Sequence, residues 1–526
     1  MNRHRTSAIT AALLVASVVA VRPALGETLP SKIERMEQEL QEMKRQLQQQ
    51  KEAQEKESVE RRAAEQRVKD EQAAKETSRP AATTISDIAD RVKIGGYGSM
   101  RYEGSDLKEQ KHTFTLRRLV LTTDANIAPR LHSYIEIEYE RFRKLEVERS
   151  TLGSSGGNLT AQQAIETTNG SEISLEQAWL QYDIADWINL RAGGMLVPLG
   201  RFNTNHDDNR WELPRRTLVD RGVSVLPSTA AWDELGFGLL GNVELSDDAL
   251  LNYQLYVMNG VALDAEYKQK IEKQNGDTRT VTELEISPST GGFASDVKDS
   301  KAFAGRLALS PALGHEIAGS WYYGQYTPDF LGKKDLWATA IDGRTGYGRF
   351  ELEGEGMFTR FEGTRGVVTR LAQVAGDNSL VSSDPAVSTE VELELESMAR
   401  NRYGYWLEAR YRFWPAFLTN TFLGRRFSNP QLVAVARAEQ AWLDDLVTAA
   451  EFTGGTLTSL TASNRRVDRV TVGMTYHPVP LVAFQIAYEY TQTNSGGSLA
   501  GVTNFLPAQP GEDHANIVMV GTAFGF

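Results

Sequence analysis

From Val92 to the C-terminus, apolar residues recur at every second position in short runs bounded by turn residues. That spacing places one face of a strand in apolar surroundings and the other in polar ones. Ile135, Ile137 and Tyr139 alternate with Glu136, Glu138 and Glu140. Tyr403, Tyr405, Leu407, Ala409, Tyr411 and Phe413 share one face; Arg402, Trp406, Glu408, Arg410 and Arg412 share the other. Phe350, Leu352, Gly354 and Phe358 alternate with Glu351, Glu353 and Glu355. The polar face is thus charged on many strands.

Sixteen such runs are predicted over 92–526, and the links between them alternate in length. Short links fall at 185–186, 246–249, 310–313, 342–345 and 477–480. Long ones fall at 144–172, 198–234, 260–299, 361–401, 442–464 and 493–513. The links 104–111 and 327–334 are brief for long ones, and 414–430 is extended for a short one. Short turns at one end and long loops at the other, with an even strand count, predict a transmembrane antiparallel β-barrel of about 16 strands at 92–526, the all-β architecture of the bacterial outer membrane. Closure removes the sheet edges that lipid does not tolerate. Aromatics near strand ends (among them Tyr97, Trp187, Trp406 and Tyr488) are candidates for the interfacial girdles. The final run sets Val518, Val520, Thr522, Phe524 and Phe526 on one face and ends on an aromatic, as the insertion signal of bacterial outer-membrane barrels does.

The N-terminal part follows other periods. Residues 1–26 read as an export signal: Arg3 and Arg5 precede the apolar stretch Ala8–Val21, and Ala24-Leu25-Gly26 offers small residues for cleavage. Over 27–80, Ile33, Met36, Leu40, Met43 and Leu47 alternate spacings of three and four, an a/d seam that predicts a short coiled-coil helix. The seam turns polar after Leu47, so a solvated single helix or flexible linker is the alternative. Residues 81–91 read as a linker.

Composition removes several functions. There is no cysteine, hence no disulfide framework, thiolate metal site or cysteine nucleophile. The net charge of -12 argues against nucleic acid as a partner. Gly153-Ser154-Ser155-Gly156-Gly157 matches G-x-S-x-G but lacks the strand and helix a nucleophile elbow needs. The histidines form no H-E-x-x-H, and Asn205-His206-Asp207-Asp208-Asn209 reads as a polar loop tip, though its oxygens suit a hard cation. No catalytic residue, metal ion or cofactor is predicted.

The stretch after the fifth strand stands apart. Arg191, Arg201, Arg210, Arg215, Arg216 and Arg221 face Asp207, Asp208, Glu212 and Asp220 with no lysine, in a barrel region of net charge -13. In a narrow lumen, guanidiniums are permanently charged donors for anions. Equally, they can pair with the carboxylates and brace the loop.

Phe114-Thr-Leu-Arg-Arg-Leu-Val-Leu, Glu176-Gln-Ala-Trp-Leu, Arg191-Ala-Gly-Gly-Met-Leu-Val-Pro-Leu-Gly, and Pro214-Arg-Arg followed by Asp233-Glu-Leu-Gly occur in that order. They resemble landmarks of the phosphate-selective porin O and P family. The resemblance covers roughly 92–245. It implies a sixteen-stranded homotrimeric channel in outer-membrane lipid, with the third long loop folded inward to narrow the pore. Some relatives that pass dicarboxylates carry an N-terminal coiled coil. The family's arginine ladder and lysine cluster are not matched throughout: the barrel region is acidic and no lysine cluster falls on inward positions. The expected function is passive diffusion of small hydrophilic, anionic solutes such as phosphate or small carboxylates, with the N-terminal segment in the periplasm. The alternative is a non-conducting structural barrel that tethers the envelope through its coil.

Overall fold

A computed structural model describes residues 91–108, 112–140, 145–151, 161–167, 172–220, 225–228, 231–274, 277–289, 296, 298–375, 388–393, 399–453, 456–494 and 512–526. The predicted export signal and coiled coil, and the linker up to residue 90, lie outside them.

Among the described residues, sixteen strands form one closed antiparallel barrel. They are β1 Val92–Ser105, β2 Thr113–Ala128, β3 Leu131–Glu140, β4 Glu172–Ala185, β5 Ile188–Leu196, β6 Asp233–Glu244, β7 Leu250–Met258 and β8 Ala302–Ala312. They continue as β9 His315–Gln325, β10 Asp335–Tyr347, β11 Phe350–Phe361, β12 Ala399–Phe413, β13 Gln431–Thr453, β14 Thr456–His477, β15 Val482–Thr493 and β16 His514–Gly525. Each pairs with the next, and β16 returns to β1 in register from Tyr97↔Gly525 to Ser105↔Ile517. The terminal residue completes the seam: Phe526 N donates to Gly96 O at 3.0 Å, and Gly96 N to Phe526 O at 3.2 Å. Every strand therefore has two partners and no edge remains.

The two faces separate by chemistry. Phe114, Leu116, Leu119 and Leu121 of β2 and Val518, Val520 and Phe524 of β16 are exposed on the outside. The opposite positions carry Arg101, Glu103, Glu136, Glu138, Glu353, Glu408, Arg410, Arg437, Glu439, Arg469 and Glu489, all buried inside. Trp406 and Tyr97 belong to this inner face and are buried, so they are not girdle residues. Parity decides: each shares its face with the charged members of its strand.

On β2 and on β4 a β-bulge breaks the alternation. Ser99 pairs with Arg118 but Met100 with Leu116, which leaves Arg117 as the extra residue. Glu136 pairs with Gln177 but Ile137 with Leu175, which leaves Glu176 as the extra residue. A bulge re-aims the side chain it displaces. Arg117 and Arg118 are consequently both buried inside the barrel, and Glu176 joins Gln177 on the inner face.

The long links hold more structure than their turn-rich sequences suggest. Hairpins form within two of them, Leu145–Thr151 with Ala161–Thr167 and Ala262–Gln274 with Asp277–Ser289. The link 442–464 is mostly strand: β13 and β14 pair from Gln431↔His477 to Thr453↔Thr456 across several register shifts. Asp444-Asp445 interrupts the alternation there, yet Asp445 takes φ 57 at a shift and the ladder resumes. The turn expected at 342–345 lies instead after Tyr347, because Asp342 to Tyr347 stay paired with β11.

Candidate functional site

The link from β5 to β6 folds into the barrel. Its neck is closed by Val197 N donating to Trp232 O at 2.9 Å, and by Asn203. The Asn203 amide donates to Val197 O at 2.8 Å and Trp232 O at 3.1 Å, while its oxygen accepts from Trp232 N at 2.8 Å. Beyond the neck, Leu199, Phe202, Trp211, Leu213, Leu218, Val219, Val225 and Leu226 are buried in the core cluster. Their burial supplies the hydrophobic drive for insertion, about 1.5–3 kcal/mol per large side chain.

Polar contacts fix the inserted chain to the wall. Gly200 has φ +72, and a Cβ there would stand 2.6 Å from Glu355 Oε1, so the turn admits only glycine without strain. Glu355 Oε2 accepts from Arg201 N and Phe202 N, both at 2.8 Å, at the start of the one-turn helix Arg201–Thr204. Further along, Gln485 Nε2 donates to Trp211 O at 2.8 Å and Arg101 to Pro214 O at 2.7 Å. Leu218 N donates to Glu439 at 2.9 Å, and Arg437 and Arg469 reach Arg215 O and Arg216 O at 3.2 and 3.3 Å. Backbone carbonyls that would be orphaned in a dry lumen thus find guanidinium donors on the strands.

The arginines expected to line the pore take different places. Arg201 pairs with Glu353 of β11 and lies 2.7 Å from Glu316 of β9. Arg215 pairs with Glu103 of β1 and lies 3.0 Å from Glu489 of β15. Arg216 lies 3.6 Å from Asp208 and 3.4 Å from Asp220. Arg191 of β5 is half-buried, stacks over Trp179 at 3.9 Å and bonds Gln181 at 2.6 Å. Arg210 has a side chain 62% exposed and meets Asp207 at 3.4 Å. Arg221 lies outside the described residues. The structure therefore brings Arg215 and Arg216 to one wall and sends Arg201 to the opposite one.

Sequence reading missed the strand side chains that receive the loop. Asp208 is the hub on that wall: Arg118 and Arg216 each approach it at 3.6 Å, and Ser99 donates to it at 2.6 Å. Burial disfavours its charged form, but Arg118, Arg216 and Arg117 outweigh burial and hold the carboxyl well below the usual range. Glu212 behaves likewise: against burial, His477 at 2.8 Å and Arg412 at 3.4 Å keep it ionised, below its ordinary value. His206 is buried, which opposes protonation, yet Glu176 at 3.3 Å and Asp207 at 3.7 Å push it up to about 9.

The exposure of inward charges rises toward both ends of the barrel. Near the short-turn end Arg344 is 44% and Arg412 38% exposed at the side chain. Near the long-link end Arg400 is exposed to a similar extent, 43%. In between, the inserted loop covers the wall charges.

No family model matches the sequence. One curated relative, an uncharacterized protein of Aquifex aeolicus (strain VF5), is 26% identical over 228 residues. The match spans 43% of this chain and 43% of that protein's length, less than half of either. Among solved structures, the fold is similar to an anion-selective porin from Comamonas acidovorans (10% identity, TM-score 0.44, 83% of this chain and 99% of that one). It is also similar to Salmonella typhi OmpF in complex with daunomycin (11% identity, TM-score 0.44, 83% and 97%). A third is the outer membrane channel DcaP of Acinetobacter baumannii (10% identity, TM-score 0.41, 83% and 97%).

Proposed function

We propose that this chain is an outer-membrane porin whose inserted loop narrows a charged lumen, passing small hydrophilic solutes with a preference for anions such as phosphate or small carboxylates. The distribution of polarity across a closed wall carries this reading. An apolar outer face and a sheet without edges suit lipid, and an arginine- and glutamate-lined interior suits water and ions. The short-turn end and both barrel termini would face the periplasm, and the assembly would be a homotrimer.

The anion preference rests on guanidiniums that remain open to water: Arg210 on the loop, Arg191 beneath it, and Arg344 and Arg412 in the short-turn vestibule. Their charge is permanent, and a fixed charge at a constriction acts at a few ångströms with little screening. Arg215 and Arg216, engaged with carboxylates, would set the loop's position and act on solutes only through the net field.

One observation favours the second reading, a structural barrel that conducts nothing. The inserted loop packs its apolar residues against the wall with almost no exposure. Liposome swelling separates the two. Vesicles carrying the purified full-length protein should swell in isosmotic solutions of small sugars and faster in salts of small organic acids than in salts of organic cations of like size. Vesicles that stay as impermeable as protein-free ones would establish the tether.

A further inference from the structure

A second cluster lies where β3, β4 and the inserted loop meet. Glu136, Glu176 and His206 are all buried, and one ligand-capable atom of each lies within 4.8 Å of the others. His206 Nε2 is 3.3 Å from Glu176 Oε2 and 3.7 Å from Asp207 Oδ1. The first spacing already matches the ~3.4 Å edge of a tetrahedron with metal–ligand bonds near 2.1 Å. The β4 bulge is what makes the cluster: it turns Glu176 inward beside Gln177.

The surroundings are those of oriented ligands. His206 Nδ1 lies 3.0 Å from the Asn203 carbonyl, which accepts its proton and directs Nε2 at the carboxylates. Gln177 Nε2 donates to Glu136 Oε2 at 2.6 Å and fixes that carboxylate. The Tyr97 hydroxyl is buried without a hydrogen-bond partner, and its charged neighbours are Arg118, Asp207, Asp208 and Glu176, three carboxylates against one guanidinium. Asp207 is only partly buried, which gives an entering ion a wet side.

We propose that Glu136, Glu176 and His206 bind one divalent d-block cation of the zinc type, with Asp207 or water in the fourth position. An imidazole nitrogen suits such ions and not magnesium or calcium, which take six or more oxygens. Binding releases the proton of His206 Nε2 to solvent and leaves Nδ1–H on Asn203. The ion ties the loop to β3 and β4.

The test is Zn2+ binding to the full-length protein in detergent, stripped with chelator and read by competition with a chromophoric chelator. One Zn2+ per chain is expected, undisturbed by a hundredfold excess of Mg2+. His206→Gln and Glu176→Gln should each weaken it by more than tenfold, and Gln177→Leu, which removes only the orienting donor, by about tenfold. Heat-modifiable gel mobility reports whether each variant keeps its barrel. If His206→Gln does not fold, Gln177→Leu decides. Absence of stoichiometric binding, equal affinity in the folded variants, or displacement by Mg2+ would overturn the proposal.

Discussion

Trp211, on the inserted loop, stands edge-on to Trp406 on β12, with ring centroids 5.4 Å apart and planes at 82°. Phe202 stacks on Trp211 with ring centroids 4.8 Å apart. The loop thus enters the lumen on an aromatic seat that the wall provides. Replacing Trp406 with Ala removes the wall's half of it, at a cost of about 3–5 kcal/mol. The thermal midpoint should fall and single-channel conductance rise as the loop loosens. Unchanged values of both would mean that the polar contacts alone hold the loop.

Asp208→Asn tests the hub of the opposite wall. With the carboxylate gone, Arg117, Arg118 and Arg216 lose their common counter-charge. Removing one partner of such a buried set costs about 3 kcal/mol or more. Chemical unfolding in detergent should register that loss. In a salt gradient, the zero-current potential should move toward anion preference, since the lumen gains one net positive charge.

The pH dependence has two sides. His206 is raised by its carboxylate neighbours, so its contribution is complete below its unfolded value near 6.5 and fades as pH rises through about 9. Glu212 is depressed, so its contribution is present above its ordinary range and is lost as pH falls through its lowered value. The loop should be held best between about pH 5 and 6.5, where both contributions are complete, and should loosen progressively toward pH 9. Tryptophan fluorescence across the pH range measures this, and in His206→Gln the alkaline limb should flatten while the acid limb stays.

Gly193 has φ +130, and a Cβ there would sit 2.2 Å from Ala178 O on β4. Gly193→Ala therefore strains β5 just before the loop begins, by about 1–3 kcal/mol or more. The folded fraction recovered from detergent refolding should drop. Gly314, also at positive φ but with nothing nearby, should tolerate the same change far better.

Much of this was legible in the sequence because a lipid-facing barrel must alternate, and must end its links where polar turn residues appear. The inward-facing charged series on β3, β11 and β12 follows from parity alone. The bulges do not. Parity places Arg117 and Arg118 on opposite faces, and only their flanks signal otherwise: neither arginine can face lipid between Leu116 and Leu119. The strand positions that receive the loop were equally hidden. Arg101, Arg437 and Arg469 read as generic lumen charges until the carbonyls of Pro214, Arg215 and Arg216 arrive beside them. The grouping of Glu136 and Glu176 with His206 needs the third dimension, since two strands and a loop supply one residue each.

Planar-bilayer recording of the purified full-length protein in a tenfold KCl gradient tests the porin assignment most directly. Discrete, small conductance steps with a zero-current potential on the chloride side are expected, and Arg210→Ala should shift that potential toward potassium. A protein that inserts as a folded barrel and gives no steps, or one whose potential lies firmly on the potassium side, would contradict it.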